Sequence, residues 1–227
     1  MSDIKVIAFD LDDTLLDTSA LLVPLASQRA CEAMIAAGVN CTLEQCMKDR
    51  HSLASSQSHT EIFTSIANRY GTNQNGKAIH DALEQFYNPE IPMALPLLAG
   101  AIENLQELKR KYKLYLVTMG VPDAQKRKVM ALNIEQLFNG IYILNGFIGE
   151  KKEDAFKDII EREKIQPHQL LSIGNRLSSE IRDAKRCGSR TCYFAHGEHV
   201  GEIPQFPEDN PDFTIANHKE LIPTCAL

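Results

Sequence analysis

Residues Val6–Asp17 read "VIAFDLDDTLLD", and this stretch decides the fold. Apolar residues run without alternation from Ile4 through Val6 to Phe9 and stop at three carboxylates within four positions, Asp10, Asp12 and Asp13. Beyond Lys5 the run Val6–Phe9 is unbroken, and such a run closed by polar residues reads as a strand covered on both faces in a parallel sheet. Extended residues two apart project to the same side, so Asp10 and Asp12 share one side of the strand end. Two carboxylates placed together repel, and a bound divalent cation relieves that repulsion.

Similar runs recur further along, at Leu114–Val117, Ile141–Leu144, Leu170–Ile173 and Thr191–Phe194. Amphipathic segments lie between them. Ile102, Leu105, Leu108 and Tyr112 share a face before the second run; Val129, Ala131 and Leu132 precede the third; Phe156, Ile159 and Ile160 precede the fourth. The alternation predicts an α/β domain with a doubly wound, Rossmann-like parallel sheet and a site at the carboxyl ends of its strands.

Residues 17–93 break the pattern, showing helical periodicity and no convincing strand. Ile62, Phe63, Ile66, Ala67 and Tyr70 form one stripe, and Ile79, Leu83, Phe86 and Tyr87 another. Thr42–Gln45 and Ser58–Glu61 fit the capping-box pattern, with Gly38 and Gly71 where helices stop. "NPEIPMALP", Asn88–Pro96, reads as a connector. The expected organisation is a core of residues 1–16 and 94–227 with an inserted all-helical domain of about four helices at 17–93. Within the insertion, Leu21, Leu22 and Leu25 are read as core packing, and Arg50, His51 and His59 as solvated polar residues.

The chain has 227 residues, 44% of them hydrophobic and 24% charged, with a net charge of −6. That composition fits one large globular domain or a domain with an insertion, and it leaves no basic footprint for nucleic acid. No stretch is apolar for long enough to span a bilayer, and a cytoplasmic location with no membrane partner is expected. The six cysteines form no C-x-x-C pair and no zinc-ligand cluster, which favours reduced thiols.

Asp10-Leu-Asp12-Asp13-Thr14 resembles the D-x-D-x-T signature of the haloacid-dehalogenase-like hydrolases, and later segments are similar to that superfamily's other motifs in the same order. "LYLVTMG" supplies a strand-end Thr118, followed by Met119 and Gly120. "GEKKEDAF" offers Lys151 or Lys152, with Lys151 preferred. "SIGNRLSSEIRDA" carries Gly174, Asn175 and Glu180 where the acidic fourth motif lies. The insertion resembles the family's helical C1 cap, and a closing cap implies a small substrate and excluded water.

The resemblance implies a phosphomonoester hydrolase acting on a small phosphorylated metabolite, as monomer or homodimer. In that reading Asp10 is the nucleophile and Asp12 the general acid and base; Thr118, Met119, Gly120 and Lys151 hold the phosphoryl group. Mg²⁺ is held by Asp10, Asp12, Asn175 and Glu180. Asp13 is expected to shape the turn and Asp17 to cap the next helix. The second carboxylate, Asp12, sets the chain apart from true dehalogenases, which lack it. Asn175 departs from the pattern, because an amide oxygen brings no charge to a metal that most relatives bind with Asp. Weaker Mg²⁺ binding is expected there unless Glu180 or Asp183 compensates. Two other readings stay open: a catalytically weakened binding or regulatory protein, and a phosphotransferase or phosphomutase on the same core. "AHGEHVGE", Ala195–Glu202, fits no zinc motif and reads as a surface loop.

Overall fold

The computed structural model describes residues 3–71 and 74–227. The chain divides into two compact units, Met1–Asp17 with Pro92–Leu227, and Thr18–Ile91.

Unit Thr18–Ile91 is helical: α1 (Thr18–Leu21), α2 (Val23–Ala36), α3 (Leu43–Leu53), α4 (His59–Tyr70) and α5 (Asn75–Tyr87). Both capping boxes form. Thr42 Oγ1 accepts from the Gln45 N–H at 3.2 Å while Gln45 Oε1 accepts from the Thr42 N–H at 2.9 Å. Glu61 returns the same favour to the Ser58 N–H at 2.8 Å, and such caps stabilise a helix by about 1 kcal/mol each. Gly71 ends α4 in the left-handed region, φ 59°. Met34, Cys46, Ile62, Phe63, Ile66 and Phe86 form the centre of the unit's apolar core. Leu21, Leu22 and Leu25 do not pack there together: Leu22 is buried, but Leu21 and Leu25 are exposed. The helix breaks between Leu21 and Val23, so the three share no continuous face. Arg50 is also less polar in its surroundings than expected, being buried with its guanidinium 5.2 Å from the Phe86 ring centroid. His59 packs against Phe86 and Tyr87, and His51 is exposed.

The larger unit is built on β1 (Val6–Phe9), β2 (Lys113–Met119), β3 (Gly140–Leu144), β4 (Leu170–Gly174), β5 (Arg190–Phe194) and β6 (Phe213–Ile215). All pairs are parallel, in the order β3-β2-β1-β4-β5-β6. Helices α6 (Ala101–Leu108), α7 (Pro122–Leu132), α8 (Lys152–Glu163), α9 (Arg182–Arg186) and α10 (Leu221–Cys225) complete it. Every residue of β1 is buried, because Val6 and Ala8 pack with Phe156 and Ile159 of α8 while Ile7 and Phe9 are enclosed on the other side. This accounts for a strand without alternation. Strand β6 escapes a periodicity search: it is three residues long, sits at the sheet edge and exposes Thr214.

β1 pairs with β2 on one side and β4 on the other, so Phe9 lies opposite both Leu116 and Ile173. The chain winds outward from β1 through β2 to β3, then crosses to β4 and continues to β6. The carboxyl ends of β2, β1 and β4 therefore lie side by side at the switch point, roughly 5 Å apart per strand. Among the described residues no helix is long and apolar enough to cross a membrane.

His218 ties the C-terminal segment to the β1 loop. It is 1% exposed, its Nε2 donates to the Thr14 carbonyl at 2.7 Å, and burial lowers its pKa. A histidine kept neutral in the fold but free to protonate when unfolded makes the unfolded state bind more protons below about pH 6.5, so stability falls as pH drops through that value. Melting temperature followed from pH 7.5 to 5 should decline less steeply in His218→Gln than in the native protein; equal slopes would exclude His218 as a source.

Candidate active site

The chain leaves β1 with the Asp10 N–H donating to the Ile173 carbonyl at 2.9 Å. It then turns tightly. Leu15 and Leu16 N–H both donate to the Leu11 carbonyl, at 2.9 and 3.0 Å, and Asp13 N–H donates to the Leu16 carbonyl at 2.7 Å. Asp13 takes up a left-handed conformation, φ 53°, which Asp tolerates better than most residues. A side chain at Gly197 would fall 2.6 Å from the Asp13 Cβ, so that loop approaches closely because position 197 has none.

Asp10 is 6% exposed, and Lys152 Nζ donates to its Oδ1 at 2.6 Å. The same ammonium donates to Glu180 Oε1. Here the structure differs from the sequence reading, because Lys152 is buried at this position while Lys151 is exposed at the N-cap of α8. The first helical residue, one step on, is the one turned inward. Burial pushes the Asp10 carboxyl up to about 7; Lys152 pulls it down, and Glu180 and Asp12 push it up. Burial also opposes ionisation of Glu180 and Lys152, but mutual attraction prevails: Glu180 lies below its ordinary value and Lys152 above.

Glu180, expected at the metal, is found on Lys152 and on the loop that follows β4. With one oxygen on Lys152 and Oε2 accepting the Arg176 N–H at 3.0 Å, it anchors a lysine and a loop. Gly174 makes room: a side chain there would lie 2.8 Å from the Glu180 Cβ. Asn175 is 3% exposed, and its Nδ2 donates to the His196 carbonyl at 3.4 Å. Asp183 accepts the Glu153 N–H at 3.3 Å at the start of α8, with its pKa raised by burial.

Asp12 meets a second, separate pair of donors on α7. Lys128 Nζ lies 2.7 Å from its Oδ1 and Gln125 Nε2 2.8 Å from its Oδ2. Gln125 also donates to Thr118 Oγ1 at 2.6 Å, so the strand-end threonine of β2 belongs to the same network. Met119 and Gly120 follow, half-buried, at the turn into α7. The sequence reading singled out neither Gln125 nor Lys128 as a site residue. The available signal was their phase, because both fall on the same helix face as Val129 and Leu132.

The loop after β5 is also more than surface. Glu202 accepts the N–H groups of Leu177 and Ser178 at 2.7 and 3.2 Å, holding the π-helical turn Leu177–Ile181 that leads into α9. His196 Nε2 lies 3.2 Å from Asp17 Oδ1, and Asp13, Asp17 and His196 each offer a ligand atom within 4.8 Å of the others.

The donor chemistry at the strand ends suits a hard divalent cation. Asp10, Asp12 and Glu180 bring three carboxylates against the two ammonium groups of Lys128 and Lys152. Carboxylate, carbonyl and amide oxygens are the ligands Mg²⁺ takes.

Removing Lys152 leaves two buried carboxylates facing each other. Lys152→Met should lower unfolding stability by about 3–5 kcal/mol, and Lys151→Met by less than about 0.5 kcal/mol. Chemical denaturation of both variants tests this; equal effects would contradict the assignment.

Residues 7–194 match the family model described as haloacid dehalogenase-like hydrolase. The chain is 28% identical over 226 residues to the glyceraldehyde 3-phosphate phosphatase of Methanopyrus kandleri, covering 96% of each. It is 31% identical over 200 residues to the glyceraldehyde 3-phosphate phosphatase of Pyrococcus abyssi, covering 86% of this chain and 83% of the relative. Its fold is similar to that of the HAD-hydrolase YfnB of Bacillus subtilis, solved bound to magnesium, with a TM-score of 0.67, 22% identity and 96% and 97% coverage. A family match over residues 7–194, together with a relative 31% identical over most of both chains, means that this chain belongs to the haloacid dehalogenase-like hydrolases.

Proposed function

We propose that this hydrolase removes the phosphoryl group from a small phosphomonoester through a covalent intermediate on Asp10. One observation carries the reading: at the end of the central strand, Asp10 and Asp12 are each paired with their own buried lysine, Lys152 and Lys128. Two carboxylates two residues apart but in different surroundings suit two different tasks. Nearly full-length similarity to glyceraldehyde 3-phosphate phosphatases supports a short-chain phosphorylated substrate.

An Asp10 oxygen attacks phosphorus as the bond to the leaving oxygen breaks, and Asp12 gives that oxygen its proton. Water then attacks the phosphorus, Asp12 takes the proton, and the Asp10–phosphorus link opens to release inorganic phosphate. Acid–base help of this kind contributes roughly 100- to 10,000-fold. Thr118 accepts its hydrogen bond from Gln125 and so keeps its own hydroxyl hydrogen to give to a phosphoryl oxygen. Lys152 neutralises charge beside Asp10 and fixes its orientation, while Glu180 holds Lys152. Asp10, the Asp12 carbonyl and Asn175 would hold Mg²⁺, which supplies charge compensation for the phosphoryl oxygens.

Release of inorganic phosphate from a panel including glyceraldehyde 3-phosphate and phosphoglycolate should require Mg²⁺ and fall by about a thousandfold or more in Asp10→Asn. Release that survives a chelator or that substitution would sink the proposal.

Position 175 makes a second prediction. Asn175→Asp adds a charge to the metal site, so half-saturating Mg²⁺ should drop by about tenfold. In the native protein, half-saturating Mg²⁺ should rise as pH falls below about 7, because a proton on Asp10 competes with the metal. Thermal shift titrations with Mg²⁺ read both; pH-independent binding would contradict the role given to Asp10.

A further inference from the structure

We infer that Gln125 and Lys128 are positioning residues for Asp12, a two-point clamp that fixes the proton-transferring carboxylate and links it to Thr118. The inference rests on the phosphomonoesterase reading of Asp10 and Asp12, and goes beyond it by assigning a task to α7.

Lys128 and Gln125 occupy one face of α7, three residues apart, and are 7% and 2% exposed. Their neighbours on that face, Ala124, Val129 and Leu132, are buried and apolar. Packing alone would be served by another apolar residue at each position, because taking an ammonium out of water carries a desolvation penalty that a partner only offsets. Each of the two polar groups instead meets a different oxygen of Asp12: Lys128 takes Oδ1 at 2.7 Å and Gln125 takes Oδ2 at 2.8 Å. With both oxygens tied, the carboxylate cannot turn about its own axis without breaking a charge-assisted bond.

Gln125 extends the clamp to the neighbouring strand. Its amide has two N–H groups, and its two short bonds run to Asp12 Oδ2 and to Thr118 Oγ1 at 2.6 Å. One side chain thereby sets the spacing between the residue that moves the proton and the hydroxyl that meets the phosphoryl group. Gly120 clears the path: a Cβ there would press on Gln125 Cγ and Cδ at 3.2 Å. Misplacing a proton donor by about an ångström lowers rates by roughly 100-fold, so a clamp of this kind acts on catalysis through Asp12 without touching phosphorus.

The role leaves a signature that depends on the leaving group. An alkoxide needs Asp12's proton as it departs, whereas p-nitrophenolate is stable enough to leave without one. We would measure kcat/KM, which covers steps through formation of the acyl phosphate on Asp10, for glycerol phosphate and p-nitrophenyl phosphate, with the native protein, Asp10→Asn and Lys128→Met. The expected result is a shift of at least about tenfold in the ratio of the two values, against glycerol phosphate, with Lys128→Met still folded by thermal melt. Equal losses on both esters would mean that Lys128 acts on the phosphoryl group or on the fold, and an unchanged ratio without loss would mean that Asp12 is placed without it; either overturns the inference while leaving the hydrolase reading intact. Absence of Asp10-dependent turnover in the native protein of both esters and of the whole phosphomonoester panel would overturn that reading and the clamp with it. If Lys128→Met does not fold, Gln125→Met, which keeps length and removes the two donors, carries the same comparison with the same outcomes.

Discussion

The Lys152 ammonium between the Asp10 and Glu180 carboxylates holds the centre of the molecule together. It joins three segments that are remote in sequence: the end of β1, the first turn of α8 and the π-helical turn before α9. All three side chains are at least nine-tenths buried. Such a triad is a poor way to add stability, because three charges leave water to form it and an apolar trio of similar volume would serve packing as well. Its geometry makes sense as preorganisation: a carboxylate held in one orientation, next to a fixed positive charge, before any ligand arrives. Gly174 and the Glu202 carboxylate support it from behind, one by leaving space for Glu180 and the other by fixing the turn on which Glu180 rides.

The parallel sheet supplies the common frame. Because β2, β1 and β4 are neighbours and all run the same way, Thr118, Asp10 and Asn175 emerge at one edge without any long-range search by the loops. The helix that follows β2 returns along the sheet, which brings Gln125 and Lys128 to Asp12. Two carboxylates thus acquire two separate lysines from helices that follow different strands, α8 for Asp10 and α7 for Asp12. Separate partners give the two acids different surroundings, which the proposed division into nucleophile and proton carrier calls for.

Much of this was legible in the chain. The unbroken apolar run Val6–Phe9 and its later counterparts announced a parallel sheet, because a strand covered on both faces has no reason to alternate. The capping boxes at Thr42 and Ser58 announced two helices of the insertion, since their hydrogen bonds are local and close within four residues. Asp10 and Asp12 stood out because carboxylates directly after a buried strand are electrostatically costly without a partner. Thr118 and Asn175 were singled out by the resemblance to the family's ordered motifs, and the structure puts them at the ends of β2 and β4. Edge strand β6 was not found, being too short and too exposed to leave a period.

What the sequence determined by itself was therefore the set of local and periodic features: strands, caps, the acidic strand end and the order of the motifs. The choice between Lys151 and Lys152, the use of Glu180 as an anchor and the approach of Gln125 and Lys128 to Asp12 were decided only in three dimensions. Adjacent lysines are alike in composition and differ only in the direction each leaves the helix, which a one-residue change in the start of α8 reverses. Gln125 and Lys128 lie 113 and 116 residues from Asp12, and no local period records a contact across that distance. Sequence carries the propensities that act over a few residues, whereas pairing of buried charges depends on which helix face the folded sheet receives.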